Sequence, residues 1–519
     1  MKKLFTLLAA LVMATGAFAK DYTDDLVVTV DKAAPTTLPN TTITVTPNVD
    51  DTYNFSLKNF KFGTFNLGNI DMKNVPAIKQ NGVTYLLDTQ NVSIKLGTLP
   101  LTVPVTLRAE LRDNEAKMYA SMDINVVMKP VLNQKVKVLF GGGYQMPNNG
   151  FENYHKATVY DYKYDDDSNP IGIDSTAIIA QVDEPNAWHS FQSATGALAS
   201  LAGATPHIFQ STKHHGGSYS VMLKSSEIFG IVANGTMTTG RMNAASVDAA
   251  DVTNNAWLDM SKDDKDGNGD PFYTTINGLP DSLVVWVNYN QANVNDNNAV
   301  GHPYATVSAA ITDGTYYQDP QDKEYTNVLA AAKNNTIAAT GDAWKRISIP
   351  FEVKDKTIDG KAILITISTN ADAGKGSDGD SIYVDDLSFI YNDPTNVKID
   401  WNDAAATRAG SSVISPDNIN VTYDGAIGAK VVKSLKQDGD NVVATVTVFN
   451  GDLTKQIDQE THTYEGAVTG IKAIDLSDAK TTDAPTEIYS ISGQRVSDMQ
   501  PGQVYIVKKG DKVVKVLKK

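Results

Sequence analysis

The 519-residue chain contains no cysteine. That one absence excludes a disulfide framework, a zinc–thiolate cluster and a thiol nucleophile. Positive charge is also short: 45 Lys and Arg stand against 60 Asp and Glu, a formal charge of −15 at pH 7. Nucleic acid and anionic membrane surfaces are recognised through basic patches, so neither is expected as a partner. Long apolar runs are missing: Leu4 to Ala14 is shorter than the roughly 20 residues a spanning helix needs, and no other stretch is long and apolar enough. The seven histidines are scattered and make no H-E-x-x-H spacing. His214-His215 sits in a glycine-flanked loop without a triad-like context. Gly141-Gly142-Gly143 reads as a hinge and not as a phosphate cradle, because no helical pattern follows it.

What is present begins with an export signal. Lys2 and Lys3 precede the apolar stretch, and Ala17-Phe18-Ala19 supplies a small-x-small cleavage site, so residues 1–19 read as a signal peptide. No cysteine follows the site, which argues against a lipoprotein anchor. The length suggests three to five domains. An apolar content of 41% and a mean hydropathy of −0.25 suit soluble domains with buried cores.

From Asp21 to Phe140 short alternating segments predict strands at 26–30, 42–46, 53–60, 83–87, 92–96, 103–111, 117–126 and 135–140. Asn81-Gly82, Asp113-Asn114 and Gly63 supply turn chemistry between them. Eight such strands fit a sandwich or an up-and-down barrel, its interior either filled by side chains or holding one small ligand. Phe55, Phe60, Phe62 and Phe65 are expected in that core. The words Asp24-Asp25-Leu26-Val27-Val28, Phe55-Ser56-Leu57-Lys58-Asn59-Phe60 and Gly68-Asn69-Ile70 resemble the calycin-like, or lipocalin-like, barrel of secreted bacterial proteins. That domain is placed at 20–141.

The stretch 142–392 opens on Gly150-Phe151-Glu152 and closes on Tyr383-Val384-Asp385-Asp386-Leu387. Between them lie Glu184-Pro185-Asn186-Ala187-Trp188, Gly217-Ser218-Tyr219-Ser220, Val284-Val285-Trp286-Val287 and Trp344-Lys345-Arg346-Ile347. This run resembles a carbohydrate-binding jelly roll, and more specifically the carbohydrate-metabolism domain of secreted gram-negative proteins. Trp188, Trp286 and Trp344 fall within strand patterns and are expected in the core. Trp257, beside an acidic loop, and the pair Tyr316-Tyr317 are instead candidates for a ligand face. Arg241 is a candidate partner for a ligand's polar groups, with an edge strand as the competing reading.

Two cation sites compete with plainer readings. In Asp264-Lys265-Asp266-Gly267-Asn268-Gly269-Asp270, oxygen ligands at alternate positions with a glycine at the sixth match the first half of an EF-hand-like calcium loop. The twelfth position is Thr275, where a bidentate Glu is required, so a solvated acidic hairpin remains the alternative. The jelly-roll resemblance implies a second, structural calcium held by Glu152 and Asp386, with Asp385 on the other face.

Beyond 392 the strand pattern restarts, with hairpin signals at Asp438-Gly439-Asp440 and Asn450-Gly451-Asp452. Residues 393–469 read as a small immunoglobulin-like β-sandwich. The last 50 residues, 470–519, carry Tyr489-Ser490-Ile491-Ser492-Gly493-Gln494-Arg495-Val496, Pro501-Gly502-Gln503-Val504-Tyr505-Ile506 and a basic end. They resemble the sorting module of type IX secretion, with Met499-Gln500 in place of the usual leucine-led word. The resemblance implies a secretion-machinery partner and a gram-negative cell-surface or secreted location.

The expectation is an all-β, multidomain, non-catalytic glycan-binding protein. Its competitors are a structural or adhesive surface protein and a glycoside-active enzyme. The enzyme requires two carboxylates about 5–10 Å apart across a sugar, and no local phrase singles out such a pair among the 60 acidic residues.

Overall fold

The computed structural model describes residues 19–469, with short breaks at 32, 34, 49, 63–64, 81, 97–98, 113–115, 129–131, 142–145, 167–169, 229, 357, 359, 402–405 and 409–410, together with four strands between 486 and 517. The expected signal segment, the second and third glycines of the 141–143 run and the Pro501-Gly502 turn lie outside the described residues. Two compact units emerge. The first comprises Met1–Ile399, Val421–Lys433 and Val446–Glu460; the second comprises Asp400–Asn420, Ser434–Thr445 and Thr461–Lys519. Strands dominate both, as the alternation requires.

The first unit begins with nine antiparallel strands: β1 Lys20–Val30, β2 Thr36–Pro47, β3 Tyr53–Phe62, β4 Phe65–Val75, β5 Ala77–Gln80, β6 Val83–Leu96, β7 Leu99–Arg112, β8 Lys117–Met128 and β9 Leu132–Phe140. They run β4-β3-β2-β1-β9-β8-β7-β6-β5 across one sheet, which curls until β4 meets β6. Gln90 bridges that seam: its amide accepts from Lys73 N–H at 3.2 Å and donates to Lys73 C=O at 2.7 Å. The side chain thus stands in for a missing ladder pair. Alternation decides the interior. Val103, Val105, Leu107, Ala109 and Leu111 of β7 point inward and meet Leu26, Ile43, Phe55, Leu57 and Ile70, so side chains fill the barrel.

Two of the departures from the sequence expectation, at 88–91 and 66–74, have one cause. The expected segments 83–87 and 92–96 are a single strand, and β4, like the short β5 beside it, has no counterpart among the predicted strands. Polar runs (Asp88 to Asn91, and Asn66 to Asn74) break the alternation, yet they pair with β7 and β3. An exposed strand face looks like a loop when only its polarity is read.

Asp25 supplies a pH dependence. Burial, reinforced by Asp24, pushes its carboxyl up to about 6 against the pull of the Asn40 backbone and Lys117. A folded value above the unfolded one means that the folded state binds the proton more tightly. Stability therefore falls as pH rises from about 4 to about 6. Asp25→Asn is expected to remove this fall, gaining on the order of 1 kcal/mol over wild type at pH 7 after solvent screening and nothing below pH ~4. Urea unfolding of both proteins across that range checks it.

The rest of the first unit is a sandwich preceded by a long hairpin, β10 Tyr154–Tyr164 and β11 Pro170–Pro185. One sheet orders β12 Ile208–Ser211, β13 Ser220–Lys224, then Ser381–Ile390, Ser282–Asn290 and Lys345–Pro350. The other is built on Ala362–Ser368, Ala305–Thr312 and Val328–Ile337. Leu283, Val285, Val287 and Tyr289 face Val307, Ile311, Ile363, Ile365 and Ile367 across the core. Opening and closing phrases meet: Leu387 N–H donates to Asn149 C=O at 2.9 Å, and Asn149 Nδ2 donates to Leu387 C=O at 2.7 Å.

The barrel, the sandwich and the strand beginning at Ala429 meet at a buried polar junction. Glu110 of β7 lies 3.3 Å from both Arg112 and Lys430, and both cations bond Asn277 Oδ1, at 3.3 and 3.1 Å. Val432, Phe449 and Leu453 pack on Ile78, Tyr85 and Leu87 of the barrel. In the second unit Trp401 stacks on His462, with ring centres 5.3 Å apart. Its last four strands, Arg495–Val496, Thr486–Ser490, Val504–Lys509 and Lys512–Leu517, form one antiparallel sheet in that spatial order.

Candidate functional site

A small three-stranded sheet, Arg241–Asn243, Asn255–Leu258 and Tyr317–Asp319, presents one polar-aromatic face. Arg241 pairs with Trp257, which pairs with Gln318. Residues directly opposite across a ladder share a face, so these three side chains form a row. The Tyr316 ring lies 5.8 Å from that of Trp257 at 34°, is 39% exposed, and its hydroxyl donates to Gln318 Oε1 at 2.8 Å. The Arg241 guanidinium sits 4.1 Å over the Phe272 ring and is ion-paired with Asp264. Gly240 lets the strands approach: a Cβ there would come within 2.2 Å of Trp257 C=O.

Trp257, Tyr316 and Arg241 are therefore brought together, while Tyr317 is not. Strand alternation turns Tyr317 to the opposite face, where it is 4% exposed among Ala256, Leu258, Ala310 and Leu364. The expectation that it lines a ligand face is corrected. Of the tryptophans expected in the core, Trp188 is fully buried against Phe151. Trp286 and Trp344 are half-buried on the outer sheet face, where His215 stacks flat on Trp286 with ring centres 3.7 Å apart.

The Glu152 and Asp386 carboxylates both come down on the loop at Gly216-Gly217. A Cβ on Gly217 would meet Glu152 Oε1 at 1.9 Å, and one on Gly216 would meet Asp386 Oδ2 at 2.5 Å. Glu152 accepts from Ser218 N–H and Tyr219 N–H; Asp386 Oδ2 lies 2.6 Å from His215 Nδ1. Asp385 accepts from His215 N–H and Gly216 N–H, and burial pushes its carboxyl up to about 6. The loop's own donors thus answer these charges.

The acidic loop behaves differently. Asp264 is drawn off to Arg241, and Asn268 donates its side-chain amide to Asp270. Asp266 turns inward instead, its Oδ1 held by the N–H groups of Asn268 and Asp270 at 2.9 and 2.8 Å. Its Oδ2 lies 3.4 Å from His155 Nε2 and 3.5 Å from His189 Nε2. Glu184 Oε2 completes the group, 3.7 Å from His155 Nε2. Glu184 Oε2, Asp266 Oδ2 and both nitrogens of His189 are buried without a hydrogen-bond partner. Asp270, whose Oδ2 accepts from Ala187 N–H at 2.9 Å, stands close by. Burial pushes the Glu184 carboxyl above the usual range, against the pull of His189 and Ser190. Burial acts the same way on Asp266, but His189 and the Asp270 N–H outweigh it, and the net shift is downward.

Sequence reasoning flagged Asp266 and Asp270 but missed His155, Glu184 and His189. They lie on β10, at the end of β11 and just after it, far from the loop in sequence. The available signal was a glutamate five residues before a histidine around Trp188, in a phrase read only for its tryptophan.

No curated protein matches the chain. Among solved structures, the insecticidal delta-endotoxin Cry8Ea1 from Bacillus thuringiensis aligns at 8% identity over 74% of this chain and 55% of its own, with a TM-score of 0.15. The toxin is aligned over little more than half its length, and a similarity this low carries no argument. The family model for the calycin-like beta-barrel domain matches residues 18–143, the stretch that forms the filled nine-stranded sheet. The N-terminal part of this all-β chain is a calycin-like β-barrel domain.

Proposed function

We propose that the chain is a non-catalytic carbohydrate-binding protein, secreted or held at the cell surface, with the glycan bound on the central sandwich. The observation that supports this most is the row Arg241-Trp257-Gln318 with Tyr316 beside it. Sugar rings present apolar C–H faces edged by hydroxyls. Aromatic faces take the first and a guanidinium takes the second; the buried Gln318 amide, bonded to Val252 C=O, Pro320 C=O and the Tyr316 hydroxyl, holds the row in place. Arg241 is preset by Phe272 and Asp264, so less freedom is lost on binding. With Asp264 neutralising Arg241, the face suits a neutral saccharide.

A printed glycan array probed with the full chain tests the reading. Retention of one saccharide class is expected, weakened about 30-fold by Trp257→Ala, the loss of one aromatic anchor worth ~2 kcal/mol. Silence across neutral and acidic glycans by a folded protein would remove the proposal and leave the structural or adhesive reading in its place.

A further inference from the structure

We propose that His155, Asp266 and Asp270 bind one divalent transition-metal ion, the imidazole as its nitrogen ligand and the two carboxylates as its oxygen ligands. The acidic loop closes on itself: Asp266 N–H donates to Asp270 C=O at 2.9 Å, and Lys265 bridges to Pro271. That closure brings the two carboxylates together, and β10 sets His155 against them. One ligand atom from each of the three residues lies within 4.8 Å of the other two, and Asp266 Oδ2 stands 3.4 Å from His155 Nε2. Donors about 2.0–2.1 Å from a tetrahedral ion are about 3.3–3.4 Å apart, so the triad needs only a small contraction to close on one. A separate observation points to a ligand there. The Asp266 side chain is 1% exposed, and its Oδ2 has no hydrogen-bond partner. Burial in that state is costly for a carboxylate oxygen, and a second carboxylate beside it adds repulsion. A cation among the three answers both.

The surrounding groups orient each ligand. His155 Nδ1 lies 3.1 Å from Asn186 Oδ1; donation there fixes the tautomer that leaves Nε2 a lone pair. Asp266 Oδ1 is held by the N–H groups of Asn268 and Asp270, which leaves Oδ2 to the ion. Asp270 is steadied through its Oδ2, which accepts from Ala187 N–H and the Asn268 amide, both at 2.9 Å. Glu184 and His189 flank the triad and stand outside the ligand set: Glu184 Oε2 is 3.7 Å from His155 Nε2, and His189 Nε2 is 3.5 Å from Asp266 Oδ2. Spacing alone would also admit calcium. The imidazole decides otherwise, because calcium and magnesium take oxygen and imidazole suits zinc and its neighbours. The half-loop read as a calcium motif therefore supplies two carboxylates to a mixed nitrogen–oxygen site. The same loop carries Asp264, the partner of Arg241. The ion would pin that loop to the β10–β11 hairpin, and no saccharide is needed for it to do so.

Full-length protein is stripped with chelator and titrated calorimetrically with zinc chloride, alone and in the presence of calcium. One tight equivalent of zinc is expected, retained against excess calcium. His155→Gln and Asp270→Asn should each weaken zinc by ~100-fold or more, and Asn186→Ala by about 10–100-fold. His215→Gln, at a different histidine–carboxylate contact, should leave zinc binding unchanged. Circular dichroism shows whether each variant is folded, and the wild-type titration and calcium competition depend on no variant. The proposal is overturned if the stripped wild type takes up no zinc, which would leave the carboxylates facing a protonated His155. It is equally overturned if folded His155→Gln and Asp270→Asn bind zinc as the wild type does, if His215→Gln removes the site, or if calcium displaces zinc at equal concentration.

Discussion

Glu110→Ala is expected to cost about 3–5 kcal/mol of stability in the first compact unit, the range for breaking a buried ion pair from one side. Glu110 is fully buried, and Arg112 and Lys430 are each 8% exposed at the side chain. Removing the carboxylate takes away the counter-charge that Arg112 and Lys430 share, while both still converge on Asn277 Oδ1. Mutual repulsion then adds to the loss of the ion pairs. Most of the cost disappears if the charges go together: a Glu110→Leu, Arg112→Met, Lys430→Met protein is expected within about 1–2 kcal/mol of wild type, because well-packed apolar groups carry no desolvation cost. Urea unfolding followed by tryptophan fluorescence reads both, since four of the five tryptophans lie in the sandwich. Equal midpoints for wild type and Glu110→Ala would show that the junction does not tie barrel to sandwich.

Trp188→Ala should be nearly as damaging, about 3–5 kcal/mol, by emptying the largest fully buried side chain of the sandwich. Trp188 packs on Phe151, 5.3 Å between ring centres, and so couples the opening phrase to the turn after β11. That turn is tightly specified: Ala187 holds a φ of +64° and donates to Asp270, and Trp188 N–H donates to Pro185 C=O. Trp188→Phe keeps an aromatic ring and removes an indole N–H that is buried without a partner. Its cost should stay under about 1.5 kcal/mol. Calorimetry of the three proteins checks the order. A Phe variant as unstable as the Ala variant would mean that the indole N–H is satisfied and that ring volume is secondary.

Much of the fold is legible in period-two alternation, because each barrel strand buries one face and wets the other. The places where that legibility ends show what alternation omits. In Ser282–Asn290 the core takes Leu283, Val285 and Val287, so Trp286 between them faces outward. Parity places it there, while its size suggests the core. Tyr316 and Tyr317 look like a pair, and the same parity separates them. Arg241, Trp257 and Gln318 share a face through ladder register between residues 16 and 61 positions apart, which no local word encodes. The buried histidines are hidden for a similar reason: His155, His189 and Asp266 meet only after the hairpin, the turn and the acidic loop have packed together.

The most direct measurement of the central claim is a titration of full-length protein with the best saccharide from the array, comparing Trp257→Ala with Trp286→Ala. Both remove a half-buried indole from the sandwich, so they differ in place and not in kind. Binding through the Trp257 face gives a loss of about 30-fold in the first and affinity within about twofold of wild type in the second. The reverse pattern would put the glycan on the His215–Trp286 face and contradict binding through the Arg241-Trp257-Gln318 row.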